Sequence, residues 1–183
     1  MTRRAPAPAV RSAADQRRAA SLPRRLGALC YEALLLVALA ICAGFALLPL
    51  SSPTHAESLT IPPVSVRTML FCALAAGAAF YYTWFWTDGR RTLPQKTWRL
   101  RLIAADGSNV SRARALVRYM AGWIGPALAV AAYALLRENM AARYAALLLF
   151  INYAWAWIDP NRQFLHDRLA GTEIVDDAIA REP

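Results

Sequence analysis

Long apolar runs alternate with polar segments along this chain of 183 residues. The four runs span residues 26–50, 66–86, 119–136 and 141–158. A helix needs about 20 mainly apolar residues to cross a bilayer. The pattern therefore predicts an all-α membrane protein with four transmembrane helices.

The polar ends indicate how the domain is bounded. Residues 1–22 are rich in Arg, Ala and Pro without apolar periodicity, which predicts a disordered basic tail. Residues 23–175 form the transmembrane domain in this interpretation, and residues 176–183 form a short C-terminal tail. The basic start is too long for a cleavable signal peptide, although it shares its Arg-rich character with organelle transit peptides.

Charge gives the predicted helices an orientation. The net charge is +9, and most basic residues lie before the first run, between the second and third runs, and after the fourth. Cytoplasmic segments carry such an excess of Lys and Arg, so both termini are predicted to be cytoplasmic. Arg137 and Arg143 in the short outer turn run against this rule. The positive-inside pattern explains the basic balance without nucleic acid as a partner.

The central cytoplasmic loop contains a predicted strand. Residues 97–103, TWRLRLI, alternate apolar and polar side chains, and Asp106-Gly107 is a strong turn signal. A second short strand at residues 109–110 would complete a small β-hairpin. The hairpin is expected to rest on the membrane surface beside anionic lipid headgroups, with Trp98, Leu100 and Leu102 towards lipid and Arg99 and Arg101 near phosphates.

The third run carries a predicted kink. Ser111 can cap a helix that continues into the run. Pro126 has no backbone N–H, so the Gly122 carbonyl loses its usual helical donor. We therefore expect the helix to kink between these two residues.

Glu32 is an acid inside the first apolar run. A carboxylate there costs about 2.5–3.5 kcal/mol on insertion scales, so it marks a functional or partnering site. Arg25 precedes it by seven residues and shares its helix face. Depth counted along the helices places Glu32 level with Tyr81 or Tyr82, with the Gly122 backbone and with Asn152. This polar layer could bind a proton or cation, or it could only hold the helices together.

The sequence gives little support for a catalytic site or a metal site. Cys30, Cys42 and Cys72 lie in apolar runs without metal-site spacing and are interpreted as small hydrophobes. His166-Asp167 lacks a second nearby histidine or a nucleophile. The sequence therefore predicts neither an enzyme nor a cofactor.

Three stretches together resemble the RDD family of small bacterial membrane proteins. They are Arg25 with Glu32, TLPQKTWRLRLI at residues 92–103, and DPNRQFLHDRLAGT at residues 159–172. The resemblance covers residues 22–175. It assigns the family's arginine to Arg25, its first aspartate to Glu32 and its second to Asp167. Arg90-Arg91-Thr92 stands where the family usually has Gly-Gln-Thr.

The resemblance implies a protein of the bacterial inner membrane with a suspected role in transport. Asp167 could dock the C-terminal segment on Arg25 or Arg118, and Arg25 could instead meet Asp159 or lipid phosphate. Four helices are few for a complete transporter, so a homo-oligomer or a partner membrane protein is expected. The alternative is a structural or accessory membrane protein without transport activity. The predicted polar site comprises Arg25, Glu32, Asn152, Asp159, His166 and Asp167.

Overall fold

The computed structural model describes residues 19–51 and 63–177, with side chains from residue 19 to 45 and from 63 to 177. Residues 1–18 of the predicted tail, residues 52–62 and residues 178–183 lie outside this description. The elements, in chain order, are α1 (Leu22–Ser51), α2 (Val64–Phe85), α3 (Leu93–Thr97), β1 (Leu100–Ala104), α4 (Arg112–Gly122), α5 (Ile124–Leu136), a 3₁₀ helix (Met140–Phe150), α6 (Ile151–Ala154), a second 3₁₀ helix (Trp155–Trp157), α7 (Leu165–Ala170) and β2 (Thr172–Asp176).

Three helices in the described part of the chain are long and apolar enough to cross a membrane. They are Leu22–Phe45, Val64–Phe85 and Arg112–Leu136, the last combining α4 and α5. They coincide with the first three predicted spans, so the mostly helical, membrane-type fold is confirmed at that level. The segment predicted as the fourth span is also helical, but 3₁₀ helices form most of it.

The predicted break in the third run is present. The Ser111 hydroxyl caps α4 by accepting a hydrogen bond from the Arg114 backbone N–H at 3.3 Å. α4 ends at Gly122, and α5 begins after Trp123. The cause is the missing N–H of Pro126, which removes the donor that would have continued the α4 ladder at Gly122.

α5 and the long 3₁₀ helix pack side by side. Their contact passes through Gly125, where an added Cβ would stand 2.8 Å from the Leu149 carbonyl oxygen. Only a residue without a side chain permits this close backbone approach. Gly125 therefore fixes the distance between the two segments.

The β-structure differs from the predicted hairpin. β1 pairs antiparallel with β2, from Leu100 opposite Asp176 to Ala104 opposite Thr172. The predicted partner strand at 109–110 is wrong, although the turn at Asp106-Gly107 does form. The physical reason is length, because residues 109–110 are all that separates the end of the turn from the Ser111 cap. β2, TEIVD, is longer and includes β-branched Thr, Ile and Val.

The predicted orientation of β1 is also wrong. Leu100 and Leu102 are only 1% and 3% exposed, so they face the protein and not lipid. They pack with small and apolar side chains from the helix ends and from β2: Ala20, Ala28, Trp86, Val110, Ala115 and Ile174. Trp98 is 37% exposed, and its ring leans on α1 at Gly27, where a Cβ would meet it at 2.6 Å. The apolar face of β1 gains more by closing the end of the helices than by lying on a membrane.

The start of the described chain joins the same sheet. Ala19 forms a bridge with Val175, and the Ala20 N–H donates to the Ile174 carbonyl at 3.1 Å. Arg24 forms an ion pair with Asp176. Residues 19–20, β1 and β2 therefore meet at one end of the helices, which we call the sheet end.

Candidate functional site

A cavity of about 400 Å³ opens among the helices near the sheet end. Its walls come from all the helices from α1 to α6, from the segment that contains α7, and from β1 and β2. We call it the charged cavity because it combines buried charges with aromatic rings. The lining residues that carry its chemistry are Arg25, Glu32, Tyr82, Trp86, Arg118 and His166.

Arg25 and Glu32 both line this cavity, as expected for residues seven apart on one helix face. Arg25 is buried, with 4% exposure. It donates to the backbone carbonyl of Arg162, and its guanidinium lies 4.5 Å from the centre of the Phe164 ring. Its Nε has no hydrogen-bond partner among the described residues. Arg25 is thus held by backbone and aromatic contacts, with one donor left over.

Glu32 presents a carboxylate that is only partly engaged. The Thr92 hydroxyl lies near it, and Arg118 is close enough to interact electrostatically. Thr92 is itself fixed by a capping box with Gln95 at the start of α3. Within the described part of the chain, the buried Oε1 atom of Glu32 accepts no hydrogen bond.

Arg118 and Asp167 form a buried ion pair beside the cavity. Arg118 Nε donates to Asp167 Oδ1 at 2.7 Å, and the two side chains are 6% and 0% exposed. The guanidinium also lies 4.2 Å from the centre of the Trp86 ring. Of the two partners expected for Asp167, the structure selects Arg118. Asp167 nevertheless remains within electrostatic reach of Arg25.

His166 and Asp167 have fixed protonation states because of this burial. Burial lowers the pKa of the His166 imidazole to about 4, helped by the positive charges of Arg118 and Arg25 and opposed by Asp167. Burial alone would raise the pKa of Asp167, but Arg118 outweighs it and holds that pKa below the ordinary value. His166 is therefore neutral and Asp167 ionised near neutral pH.

The tautomer of His166 follows from its neighbour. Arg118 Nη2 lies 3.4 Å from His166 Nε2. A guanidinium can only donate, so Nε2 accepts and the proton of the neutral ring resides on Nδ1. No described residue accepts a hydrogen bond from Nδ1.

Asn152 lies where the depth count placed it. Its Nδ2 donates to the carbonyl of Gly122 at 2.9 Å and to that of Ala121 at 3.2 Å. Asn152 thus replaces the donor that Pro126 cannot provide. Gly122 and Pro126 also line the charged cavity, so the helix break borders the site.

Asp159 stabilises the loop before α7. Its Oδ2 accepts hydrogen bonds from the backbone N–H groups of Asn161 and Gln163, both at 3.0 Å. Its other oxygen lies 3.8 Å from Arg168 Nε. These contacts shape the turn that presents Arg162 and Phe164 to Arg25.

A protein-family model matches most of this chain. The RDD family model matches residues 19–171. The chain belongs to the RDD family. Searches among curated proteins and among solved structures found no match.

The three positions that the RDD resemblance assigns come together around one cavity. Arg25 and Glu32 line it, and Asp167 is bonded to Arg118, which also lines it. The family's charged positions, two on α1 and one far later in the sequence, therefore belong to one site in this RDD protein.

The departure at Arg90-Arg91 also has a visible consequence. Arg90 Nε donates to the Trp84 carbonyl at 2.7 Å, and its guanidinium lies over the Trp84 ring at 4.3 Å. Arg91 forms an ion pair with Asp177. In this RDD protein the two arginines attach the loop to the end of α2 and to the residue that follows β2.

Two residues of the site, Arg118 and Trp86, are not among those predicted from the sequence. The sequence predicts Arg118 only as an alternative partner of Asp167, because its position resembles that of the basic residues that flank a membrane span. Its spacing was the available signal, since it shares a helix face with the buried Ala115 and Ala121. Trp86 looked like an interfacial aromatic residue, but it is 7% exposed and contacts Arg118.

Proposed function

We propose that this RDD family protein is a non-enzymatic, multi-pass protein of the bacterial inner membrane that moves an ion or small solute through the charged cavity. Glu32 acts in this proposal as the intramembrane carboxylate that binds the transported species. The observation that carries the proposal is the buried, unpartnered Oε1 of Glu32, a residue that lines a cavity of about 400 Å³. Intramembrane ionisable groups that face a cavity commonly mark substrate or ion pathways.

Four membrane crossings are supported by the connections at the sheet end. α1 starts at the sheet end and α2 finishes at it, because the chain leaves the sheet at Ala19 and returns to it at β1. The next helices return to the same sheet through β2. An even number of crossings follows, so three span-like helices call for a fourth crossing by residues 140–157.

The 3₁₀ conformation makes that fourth crossing possible. As an α-helix, residues 140–157 would reach only about 27 Å. With 3₁₀ geometry in Met140–Phe150 and Trp155–Trp157, they reach about 34 Å. The hydrocarbon layer is about 30 Å thick. The stretched helix thus compensates for the shortest apolar run.

The sheet end is the cytoplasmic end in this proposal. Arg24, Arg91 and Arg101 lie there, and further basic residues precede α4. Cytoplasmic loops carry such excess positive charge. Both termini then lie in the cytoplasm, and anionic lipid headgroups are the expected partners of exposed basic side chains.

The proposed transporter is an assembly. None of the described residues of α2 is buried within one chain. The position of a Cβ on Gly77, within a face of small residues, has no heavy atom within 4 Å. Such faces let transmembrane helices approach closely. A second copy or a partner membrane protein is therefore part of the proposal.

Ion flux in proteoliposomes tests the role of Glu32. The purified protein is reconstituted with an entrapped pH-sensitive dye, and Na⁺ or K⁺ gradients are imposed. We expect Glu32→Gln to reduce flux at least tenfold and Glu32→Asp, which keeps the carboxylate, to retain most of it. Glu138→Gln is the matched control, because Glu138 is exposed in the turn after α5.

The same assay separates transport from the structural alternative. That alternative draws support from the Arg118–Asp167 and Asn152–Gly122 contacts, which join α4 to later segments. Wild-type flux in Glu32→Gln, together with lower thermal stability in Glu32→Ala, would exclude the transport role and leave Glu32 as a packing residue.

A further inference from the structure

The buried charges at the cavity form one closed pair and one open pair. Arg118 and Asp167 neutralise each other across 2.7 Å. Arg25 and Glu32 are the other two ionisable groups at the cavity, and neither forms an ion pair with any described residue. Asp167 acts on Arg25, and Arg118 on Glu32, at longer range. Leaving a buried charge without a counter-charge is costly. The open pair therefore calls for an additional group.

The unpartnered atoms around the cavity indicate what that group must offer. Arg25 Nε, Trp86 Nε1 and His166 Nδ1 are donors, and Glu32 Oε1 is an acceptor; none of the four has a hydrogen-bond partner among the described residues. All four residues line the cavity, and Arg25, Trp86 and His166 are each less than 9% exposed. A buried polar atom without a partner costs about 1–3 kcal/mol. A ligand with a hydrogen-bond acceptor near Arg25 and a hydrogen-bond donor near Glu32 would pair with the unpartnered atoms at both ends of the cavity.

The distance between the two ends sets the length of the ligand. Arg25 and Glu32 are seven residues apart on α1, which separates their Cα atoms by about 10 Å along the helix axis. An α-amino acid holds its charges on adjacent groups, much closer together than these Cα atoms. An extended chain with one charge at each end matches the separation more closely.

Resting on the proposed function, we infer that the charged cavity binds a small zwitterion of the ω-amino acid type. The carboxylate of the ligand lies at the sheet end, at Arg25, Trp86 and His166, and its ammonium group donates to Glu32. The rings of Tyr82 and Phe164, which also line the cavity, cover the methylene chain. A bare inorganic cation would satisfy Glu32 and leave the donors of Arg25 and Trp86 unmet.

Binding of 6-aminohexanoate tests this assignment. Purified protein in phosphatidylglycerol nanodiscs, which contain no amine lipid, is titrated by calorimetry with 6-aminohexanoate, hexanoate, hexylamine and glycine. We expect 6-aminohexanoate to bind at least tenfold more tightly than each of the other three. Equal affinity for hexylamine and 6-aminohexanoate, or the absence of binding, would overturn the zwitterion assignment.

Variants identify which end of the ligand each residue holds. Glu32→Gln should reduce the affinity for 6-aminohexanoate at least tenfold and leave that for hexanoate unchanged. Trp86→Phe keeps a ring beside Arg118 but loses the Nε1 donor. It should therefore lower the affinity for both 6-aminohexanoate and hexanoate about threefold. Glu32→Asp should retain binding, which guards against a folding defect in Glu32→Gln. The exposed control, Glu138→Gln, should bind like the wild type.

Two further results separate this inference from the proposed function. Glu32-dependent ion flux without 6-aminohexanoate binding would overturn the ligand class and leave transport intact. Binding without flux of radiolabelled 6-aminohexanoate or ions would support the site and refute transport. Phosphatidylethanolamine carries a similar pair of charges; if adding it to the nanodiscs blocks binding, the ligand is a lipid headgroup and the free-solute assignment is overturned.

Discussion

The contact between Asn152 and the broken helix gives the sharpest stability prediction. Asn152 is 1% exposed and donates to the carbonyls of Gly122 and Ala121. Asn152→Leu keeps the number and branching of the side-chain heavy atoms and removes both hydrogen bonds. Each such bond contributes about 0.5–1.5 kcal/mol in soluble proteins and about 0.6 kcal/mol on average within a membrane bundle. We expect a loss of about 1–2 kcal/mol.

A double-mutant cycle with Pro126→Ala tests the reason for this contact. The substituted alanine would have a backbone N–H that can donate to the Gly122 carbonyl, the group that Asn152 now serves. Asn152→Leu should therefore cost less in the Pro126→Ala background, with a coupling energy of about 0.6–1 kcal/mol.

Reversible unfolding in mixed micelles is the assay, with the fraction of denaturing detergent as the variable and circular dichroism as the signal. The four proteins of the cycle are compared under one lipid composition. Additive effects of the two substitutions would refute the argument that Asn152 replaces the donor lost at Pro126.

Three further predictions concern buried groups. Asp167→Asn leaves Arg118 buried without its counter-charge, so the free energy of unfolding should fall by about 3–5 kcal/mol. The pKa of His166 is about 4 in the folded protein, below the 6.5 of an ordinary imidazole, so below pH 6.5 the unfolded chain binds the proton more readily; stability should fall from pH 6.5 to about 4, and His166→Asn should flatten that decline. Gly125→Ala places a methyl group 2.8 Å from the Leu149 carbonyl oxygen and should cost about 1–3 kcal/mol. All three are read from the same micelle unfolding assay.

Matched controls make these outcomes decisive. Asp88 forms an ion pair with Arg90 but is 66% exposed, so Asp88→Asn should leave stability nearly unchanged. Gly44→Ala introduces its methyl group where no atom lies within 4 Å. Equal losses in Asp88→Asn and Asp167→Asn, or in Gly44→Ala and Gly125→Ala, would contradict the role of burial. An unchanged pH profile in His166→Asn would assign the acid sensitivity to other groups.

The helix break and its partner could be predicted because both obey local rules. Pro126 removes one donor four residues away, and the rise of a helix fixes which residues share a depth. These two rules were enough to place Asn152 beside Gly122. The same depth rule brought Glu32 into the layer with Tyr82.

The sheet could not be predicted in full because its pairing is nonlocal. Alternation predicted a strand at residues 97–103, of which residues 100–103 lie in β1 and Thr97 is the last residue of α3. Alternation says nothing about a partner as distant in sequence as residues 172–176. The candidate at 109–110 is the nearest in sequence and is too short to pair. With the wrong partner, β1 is predicted to face lipid. In the structure its apolar face packs against the ends of the helices.

Arg118 escaped for a different reason. A count of basic residues near a membrane span does not distinguish an arginine in the interior from one at the surface. Arg114 is half exposed and bonds to Asp106, whereas Arg118, one turn later, is buried. The difference is the phase of the helix, which is known only after the neighbouring helices are placed.

The sheet end has a consequence for how the protein is made. Arg25 lies in α1, but its contacts, Arg162 and Phe164, and the pairing segment at Val175 lie more than 130 residues later in the chain and are therefore synthesised after it. α1 therefore lacks these contacts, and Glu32 lacks its finished surroundings, until the chain has been translated through β2. The site is completed only after β2 has been made, and a chain truncated before β2 would lack the strand pairing that closes the sheet end.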